Sequence, residues 1–391
     1  MNQLGNIRVF GTGITAHVTA LLLANQGWRV HASAPRRLLE GRSQRDVRAY
    51  AINHRSRATL EACGVWPHEE GAPWVTAINQ MRVFGDLGGQ LTIENPNPDT
   101  SAKGHTEPVA WMVDVPELED ALREACRKQP LINTTPDEGD TPSHSSAFDL
   151  TVICEGRSSQ QRQRQEIETD SVNYPHKAIA ARVIADHPHG GVAQQWFDGE
   201  RILALLPIGG AQGRSLAVVW SLPASEHRQW SSDTSAENTE QLAMALSTAS
   251  HHALGQLRVT AGPVGFPLSV SQATRWFEGQ TVLVGDAAHT IHPLAGQGLN
   301  LGLSDAQTLA DCLAIRKRWE PASAPRLMQR YQRLRRADTQ TMQWATHSLF
   351  HLFTNPLSGQ APIPWVRNAG LSVFNALSPV KHWVQRLGMG N

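Results

Sequence analysis

Apolar positions near the start of the chain form two different textures. Ile7-Arg8-Val9-Phe10 is a short strand-like run, broken by the turn Gly11-Thr12-Gly13-Ile14-Thr15-Ala16. Val18, Leu21, Leu22 and Ala24 then recur at helical spacing as far as Gly27, a good helix terminator. Val30-His31-Ala32 predicts a second strand. Strand, turn, helix and strand within about 30 residues is the length of a parallel βαβ crossover.

Further along, Asn95–Gly104, Pro136–Ser146 and Pro223–Glu237 are rich in Pro, Ser, Thr, Asp and Gly, and predict loops. Between the last two lie Ala180–Ile184, Val192–Phe197, Ile202–Leu206 and Leu216–Trp220, short β-prone runs typical of an antiparallel sheet. The buried-strand texture returns at Thr281–Val284, followed by Leu299, Leu303, Ala306, Ala310 and Leu313 at helical spacing. The pattern predicts a dinucleotide-type α/β domain interrupted by an inserted sheet. From Pro325 the chain reads as helical, first basic (Arg326, Arg330, Arg333, Arg335, Arg336), then apolar from Trp344 through Phe353 and from Trp365 to Leu387. Those apolar residues either pack against the body or form an amphipathic surface for a membrane or partner.

Composition adds exclusions. With 35 basic and 35 acidic residues among 391, no net charge favours nucleic acid, and 40% hydrophobic content is that of a folded protein. Cys63, Cys126, Cys154 and Cys312 are scattered and fit buried thiols in a reducing cytoplasm. No signal-like segment opens the chain, and no run reaches the roughly 18 apolar residues of a membrane span. His289 and His292 lack a third ligand, so no metal is expected.

Two motifs carry the chemistry. In Gly11-x-Gly13-x-x-Ala16, the first glycine permits the turn, the second admits a pyrophosphate, and the small third residue lets helix and strand pack. The acid expected after the second strand is missing, since His31 to Arg37 contains Ala34 but no carboxylate. Losing that ribose contact costs about 1 to 3 kcal/mol. In the second motif, a strand ends at Gly285, Asp286 emerges to bind sugar-type hydroxyls, and Pro293 to Gly298 lead as a glycine-rich loop into a helix.

This second segment resembles the flavin-binding signature of the group A FAD-dependent aromatic hydroxylases, and more narrowly the ubiquinone-biosynthesis hydroxylases. Asp46-Val-Arg48, Leu205–Ile208, Gly265–Leu268, Tyr331–Asp338, His351–Phe353 and Arg367–Leu371 resemble other stretches of that family, so the likeness covers nearly the whole chain. It implies an α/β (α+β) fold: a Rossmann-like FAD-binding domain (1–75, 105–175, 270–325), an antiparallel β-sheet substrate domain (76–104, 176–269) and C-terminal helices (326–391). It implies that Gly11, Gly13 and Ala16 hold the FAD pyrophosphate, that Arg48 lies near the cofactor, and that Asp286, after Gly285, binds the ribityl chain. Pro293, Gly296, Gln297, Gly298, Leu299 and Asn300 would line the isoalloxazine. Glu155 stands where the family usually has Asp, keeping the charge with one more methylene.

The implied activity is hydroxylation of a lipophilic aromatic ring, a polyprenylated phenol or quinol, using O2 and NAD(P)H as transient reductant. The flavin carries the chemistry, so no protein nucleophile is named. The implied location is cytoplasmic, with membrane-surface or biosynthetic-complex contact through the C-terminal helices. Two alternatives stand beside it. One is a hydroxylase of a small soluble aromatic, favoured if Arg182 or Arg201 faces inward to receive a carboxylate. The other is a non-catalytic scaffold subunit, to which Ala34 and Glu155 point.

Overall fold

The computed structural model describes residues 4–35, 46–67, 72–86, 88–95, 107–137, 147–210, 212–231, 235–291 and 296–354. The apolar start becomes β1 (Asn6–Phe10), with Ile7 and Val9 buried. It sits inside a six-stranded sheet with β2 (Arg29–Pro35), β8 (Ile132–Asp137), β9 (Leu150–Ile153), β15 (Phe277–Glu278) and β16 (Thr281–Leu283). The order is β15-β16-β9-β1-β2-β8, and every pairing is parallel except β15 with β16. Such a sheet needs both faces covered. Helix α1 (Ile14–Asn25) is buried almost all round, and Gly27 ends it with φ +99°.

Two further sheets complete the β structure among the described residues. β3 (Ala49–Ile52), β7 (Ala110–Asp114) and β4 (Val75–Ile78) form a small antiparallel sheet. The larger one contains β5 (Gln80–Phe84), β6 (Gln90–Glu94), β10 (Thr169–Ala185), β11 (Val192–Asp198), β12 (Arg201–Ile208), β13 (Ser215–Pro223), β14 (Leu257–Ala273) and β17 (His289–Thr290). Its order is β17-β14-β10-β13-β12-β11-β5-β6. It is antiparallel except where β5 joins β11 in parallel, so the purely antiparallel expectation holds for all but one pairing. Together the sheets give a mixed α/β fold.

The remaining helices are α2 (His54–Ala62), α3 (Val115–Lys128), α4 (Gln160–Arg164), α5 (Ala224–Ser231), α6 (Ala236–Ala249), α7 (Gly298–Ala314) and α8 (Pro325–Thr354). α5 corrects the loop expected over Pro223–Glu237. Its composition is loop-like, but Trp230 is buried beside Trp220 at 6.1 Å and His227 is buried with it. Tertiary burial overrides weak helix propensity there. Likewise β8 runs two residues into the expected loop, because Pro136 and Asp137 pair with Ala34 and Pro35 on a sheet edge, where proline is tolerated. The expected loop at Asn95–Gly104 and the apolar run from Trp365 lie almost wholly or wholly outside the described residues.

Candidate functional site

The first turn is built by two glycines with different duties. Gly11 has φ +129°, donates its N–H to Ser33 O at 3.1 Å, and would put an added Cβ 2.5 Å from Cys154 O. Gly13 is the N-cap of α1 in extended conformation, and an added Cβ there would meet nothing within 4 Å. α1 begins with no side-chain cap and no acid in its first turn, so its N–H groups and positive dipole end face open space. Ala16 is buried beneath the turn, against Gly11.

The second loop follows β9. Glu155 faces the same space but is folded back: its Oε2 accepts from Ser159 Oγ at 2.7 Å and from the Gln161 N–H at 2.8 Å. The buried Arg162 donates to Ala287 O (3.0 Å) and to Arg157 O (2.9 Å), tying this loop to the one after β16. Arg157 in turn reaches Ser269 Oγ at 3.0 Å on the large sheet.

After β16 the chain turns at Gly285, with φ +65° and only 3.1 Å between its would-be Cβ and Thr15 Cγ2. Asp286 projects from this turn into the cleft, accessible there yet surrounded by protein. Burial raises its pKa, Asp305 adds to the rise, and His289 and Arg157 oppose it. Behind the turn lies Asp305 of α7, fully buried. It accepts from the Gly285 N–H at 2.9 Å, His289 Nε2 at 2.6 Å and Arg335 Nε at 2.7 Å. Burial alone would raise the Asp305 pKa, but His289 and Arg335 prevail and hold it below the ordinary value.

The loop leading into α7 is split between cleft and core. Gly296, Gly298 and Leu299 face the cleft, while Asn300 is buried. The Asn300 side chain accepts from the Asn53 N–H (3.0 Å) and donates to Ala51 O (2.7 Å) and Gln297 Oε1 (3.1 Å). It fastens α7 to β3, and Gln297 braces it. Pro293 lies outside the described residues.

Arg48 enters from the small sheet. Its guanidinium pairs with both oxygens of Asp46, and Glu119 Oε1 lies 3.6 Å away. The Arg48 carbonyl accepts from Arg182 Nη2 at 2.7 Å, and Arg182 also pairs with Asp114. Burial raises the pKa of Glu119, while the Arg48 hydrogen bonds outweigh burial and lower that of Asp46.

These parts surround one cleft of about 840 Å³, within the roughly 300–1,000 Å³ usual for small-molecule and cofactor sites. Of the residues singled out from sequence, Gly11, Gly13, Arg48, Glu155, Asp286, Gly296, Gly298 and Leu299 line it. Ala16, Gly285, Gln297 and Asn300 support it from behind. Sequence reasoning missed Asp305, Arg162 and Glu119. Asp305 did leave a signal, as a lone carboxylate within the apolar stripe of α7. The residues fit a dinucleotide: an uncapped helix N-terminus, a glycine whose missing Cβ leaves room, and a carboxylate for hydroxyl groups. Among the described residues, no cluster of three or more His, Cys, Asp or Glu side chains could hold a metal ion.

Residues 140–345 match the protein family described as FAD binding domain, and the chain belongs to that family. Its cofactor is therefore FAD. Among curated relatives, it is 27% identical over 412 residues to "Ubiquinone hydroxylase UbiL" of Rhodospirillum rubrum, covering 100% of this chain and 90% of that protein. It is also 27% identical over 417 residues to "3-demethoxyubiquinol 3-hydroxylase" of Escherichia coli, covering 100% and 99%. Among solved structures it resembles p-nitrophenol 4-monooxygenase PnpA of Pseudomonas putida, with TM-score 0.74, 16% identity and coverage of 98% and 96%. A likeness at that identity speaks for the fold.

Proposed function

We propose that this protein is an FAD-dependent monooxygenase that uses NAD(P)H and O2 to hydroxylate a lipophilic aromatic ring, a polyprenylated phenol or quinol of ubiquinone biosynthesis. The observation that carries the reading is the convergence of α1, the Glu155 loop and the Gly285–Asp286 turn on one cleft. End-to-end similarity to two ubiquinone-pathway hydroxylases supports the substrate class.

The substrate side favours an apolar ligand. Arg201 pairs with Glu226, and Arg182 pairs through Nη2 with Asp114 and Arg48 O; neither of these two arginines lines the cleft, so neither offers a soluble substrate's carboxylate a seat there. Beside the cofactor loop, a Cβ at Gly296 would lie 3.9 Å from Ala51. Ala51 packs on an apolar cluster of Ile78, Ala110, Met112 and Ala193, with Leu206 and Ile208 against it.

FAD, when bound, accepts reducing equivalents from NAD(P)H and activates O2. The α1 N–H groups would hold the pyrophosphate, while Arg48, paired with Asp46, would line the same cleft. Asp286 would accept hydrogen bonds from the ribityl hydroxyls. Gly296, Gly298 and Leu299 would line the flavin's site, and the apolar cluster beside Ala51 would offer an apolar ring a dry neighbour. No helix among the described residues is long and apolar enough to cross a membrane. Contact with a membrane surface or a biosynthetic complex would fall to exposed parts of α8, where Trp344 is 74% accessible.

The scaffold reading draws on the engaged Glu155 carboxylate and on Ser33, buried and accepting from Arg8 Nε at 3.3 Å, which leave the ribose end without an evident acid. One experiment separates the two. The purified protein is examined for flavin absorbance, titrated with FAD, and supplied with NAD(P)H and a lipophilic phenol. Bound flavin with a product one oxygen heavier is expected. A colourless protein that ignores added FAD would falsify the enzyme reading in favour of the scaffold.

A further inference from the structure

A carboxylate buried within an apolar helix stripe is strongly disfavoured by desolvation unless donors compensate it. Asp305 has three, and they divide cleanly between its two oxygens. Oδ1 takes Arg335 of α8, an anchor between helices. Oδ2 takes two donors from one short segment, the Gly285 N–H at 2.9 Å and His289 Nε2 at 2.6 Å. With the carboxylate ionised, His289 must carry its proton on Nε2 and donate. Its ring is also fixed from the side, stacked on Trp276 with centroids 5.0 Å apart.

Those two donors bracket Asp286. The turn between them is pinned elsewhere as well, since Arg162 holds Ala287 O and the Ala288 N–H closes onto Gly285 O at 2.8 Å. Close packing against Thr15 stops Gly285 from retreating toward α1. The Asp286 backbone therefore has no independent freedom, and its carboxyl is aimed into the cleft from a fixed base.

We propose that Asp305, through its Oδ2 grip on Gly285 and His289, is the positioning residue that aims Asp286 at the cofactor. This rests on the reading that Asp286 binds FAD. Asp305 is fully buried behind the turn and does not line the cleft; it acts through the turn. The Oδ1–Arg335 pair is a separate, structural function, so the two can be tested apart.

The test measures FAD dissociation constants by fluorescence quenching, and melting temperatures of the cofactor-free protein. The variants are Asp286→Asn, His289→Phe, Asp305→Asn, Arg335→Lys and the double variant Asp286→Asn/His289→Phe. His289→Phe keeps an aromatic ring against Trp276 and removes the donor to Asp305 together with the imidazole's electrostatic influence on Asp286. Asp286→Asn and His289→Phe each raise Kd about tenfold, the effect of losing one charge-assisted hydrogen bond or its aim. The double variant stays within about twofold of Asp286→Asn, because His289 has no other route to the cofactor. Arg335→Lys lowers the melting temperature but leaves Kd within about twofold. Asp305→Asn follows His289→Phe if it folds, and His289→Phe decides the matter if it does not.

Multiplying effects in the double variant, or an unchanged Kd in His289→Phe, overturn the positioning role while leaving Asp286 as a cofactor residue. An unchanged Kd in Asp286→Asn removes the cofactor reading itself, and the proposal with it.

Discussion

At the scale of single residues, the glycine motif was legible as a motif, but its two glycines prove unequal. Gly11 is required by the fold, through a positive φ and a carbonyl 2.5 Å from any Cβ. Gly13 has φ −85° and ψ 177°, which alanine adopts freely, and open space where the methyl would go. Gly11→Ala should therefore cost about 2 to 4 kcal/mol of stability from strain and overpacking. Gly13→Ala should stay within about 1 kcal/mol of the parent. It should nevertheless weaken FAD about tenfold or more, because its methyl would enter the open space proposed for the pyrophosphate. Urea denaturation and FAD titration of the two variants check this, and equal loss of stability in both would refute it. Asp305 shows the opposite case. Its oddity was visible in the helix pattern, but its partners His289 and Arg335 lie 16 and 30 residues away in the chain, and no local rule pairs them.

At the scale of elements, strands and helices with a strong period were legible, and α5 was not, because its formation depends on Trp230 finding Trp220. The pairing of α7 with α8 is also tertiary, and it makes stability depend on pH. The folded Asp305 pKa lies below its ordinary value. Its contribution is therefore complete above the unfolded pKa of about 3.9, and is lost as pH falls through the lower folded value. Arg335→Met removes the donor on Oδ1 and raises that folded pKa. The variant should lose about 3 to 5 kcal/mol at neutral pH, as when one partner of a buried pair is deleted. The deficit should shrink as pH falls from about 4, where the unfolded chain takes up the proton, toward the lower folded value at which the parent's carboxylate is protonated too. Urea unfolding of both proteins across this range measures it, and a deficit that stays constant with pH would show that Asp305 ionisation contributes nothing.

For the molecule as a whole, the interrupted dinucleotide-type fold was legible because buried-strand texture brackets a β-rich middle. The parallel addition of β5 to β11 was not, since Gln80 and Val192 meet across more than a hundred residues and a sheet edge carries no local address. The scattered cysteines, uninformative as a pattern, report on the body around α1. Cys63 Sγ lies 4.0 Å from Val18 O, Cys126 Sγ 3.8 Å from His17 O, and Cys154 Sγ 3.8 Å from Thr19 Oγ1. All three contacts fall on one helix that opens at the cleft. Burial pushes each of these thiols up to about 12, and Cys312 is buried and raised as well. A raised thiol is neutral in the fold while the unfolded chain ionises near about 8.5, so stability should fall as pH rises from about 8.5 toward the folded values. The same burial should leave all four thiols silent to a thiol-specific reagent in the native, FAD-saturated protein at slightly alkaline pH, with FAD present because Cys126 and Cys154 line the cleft. They should become reactive together, along the curve of global unfolding in denaturant, because α1 is packed into the core through nearly every side chain. Reaction of one thiol well before that transition would mean that the layer carrying the α1 terminus opens independently, and the cofactor cleft would then rest on a locally unstable wall.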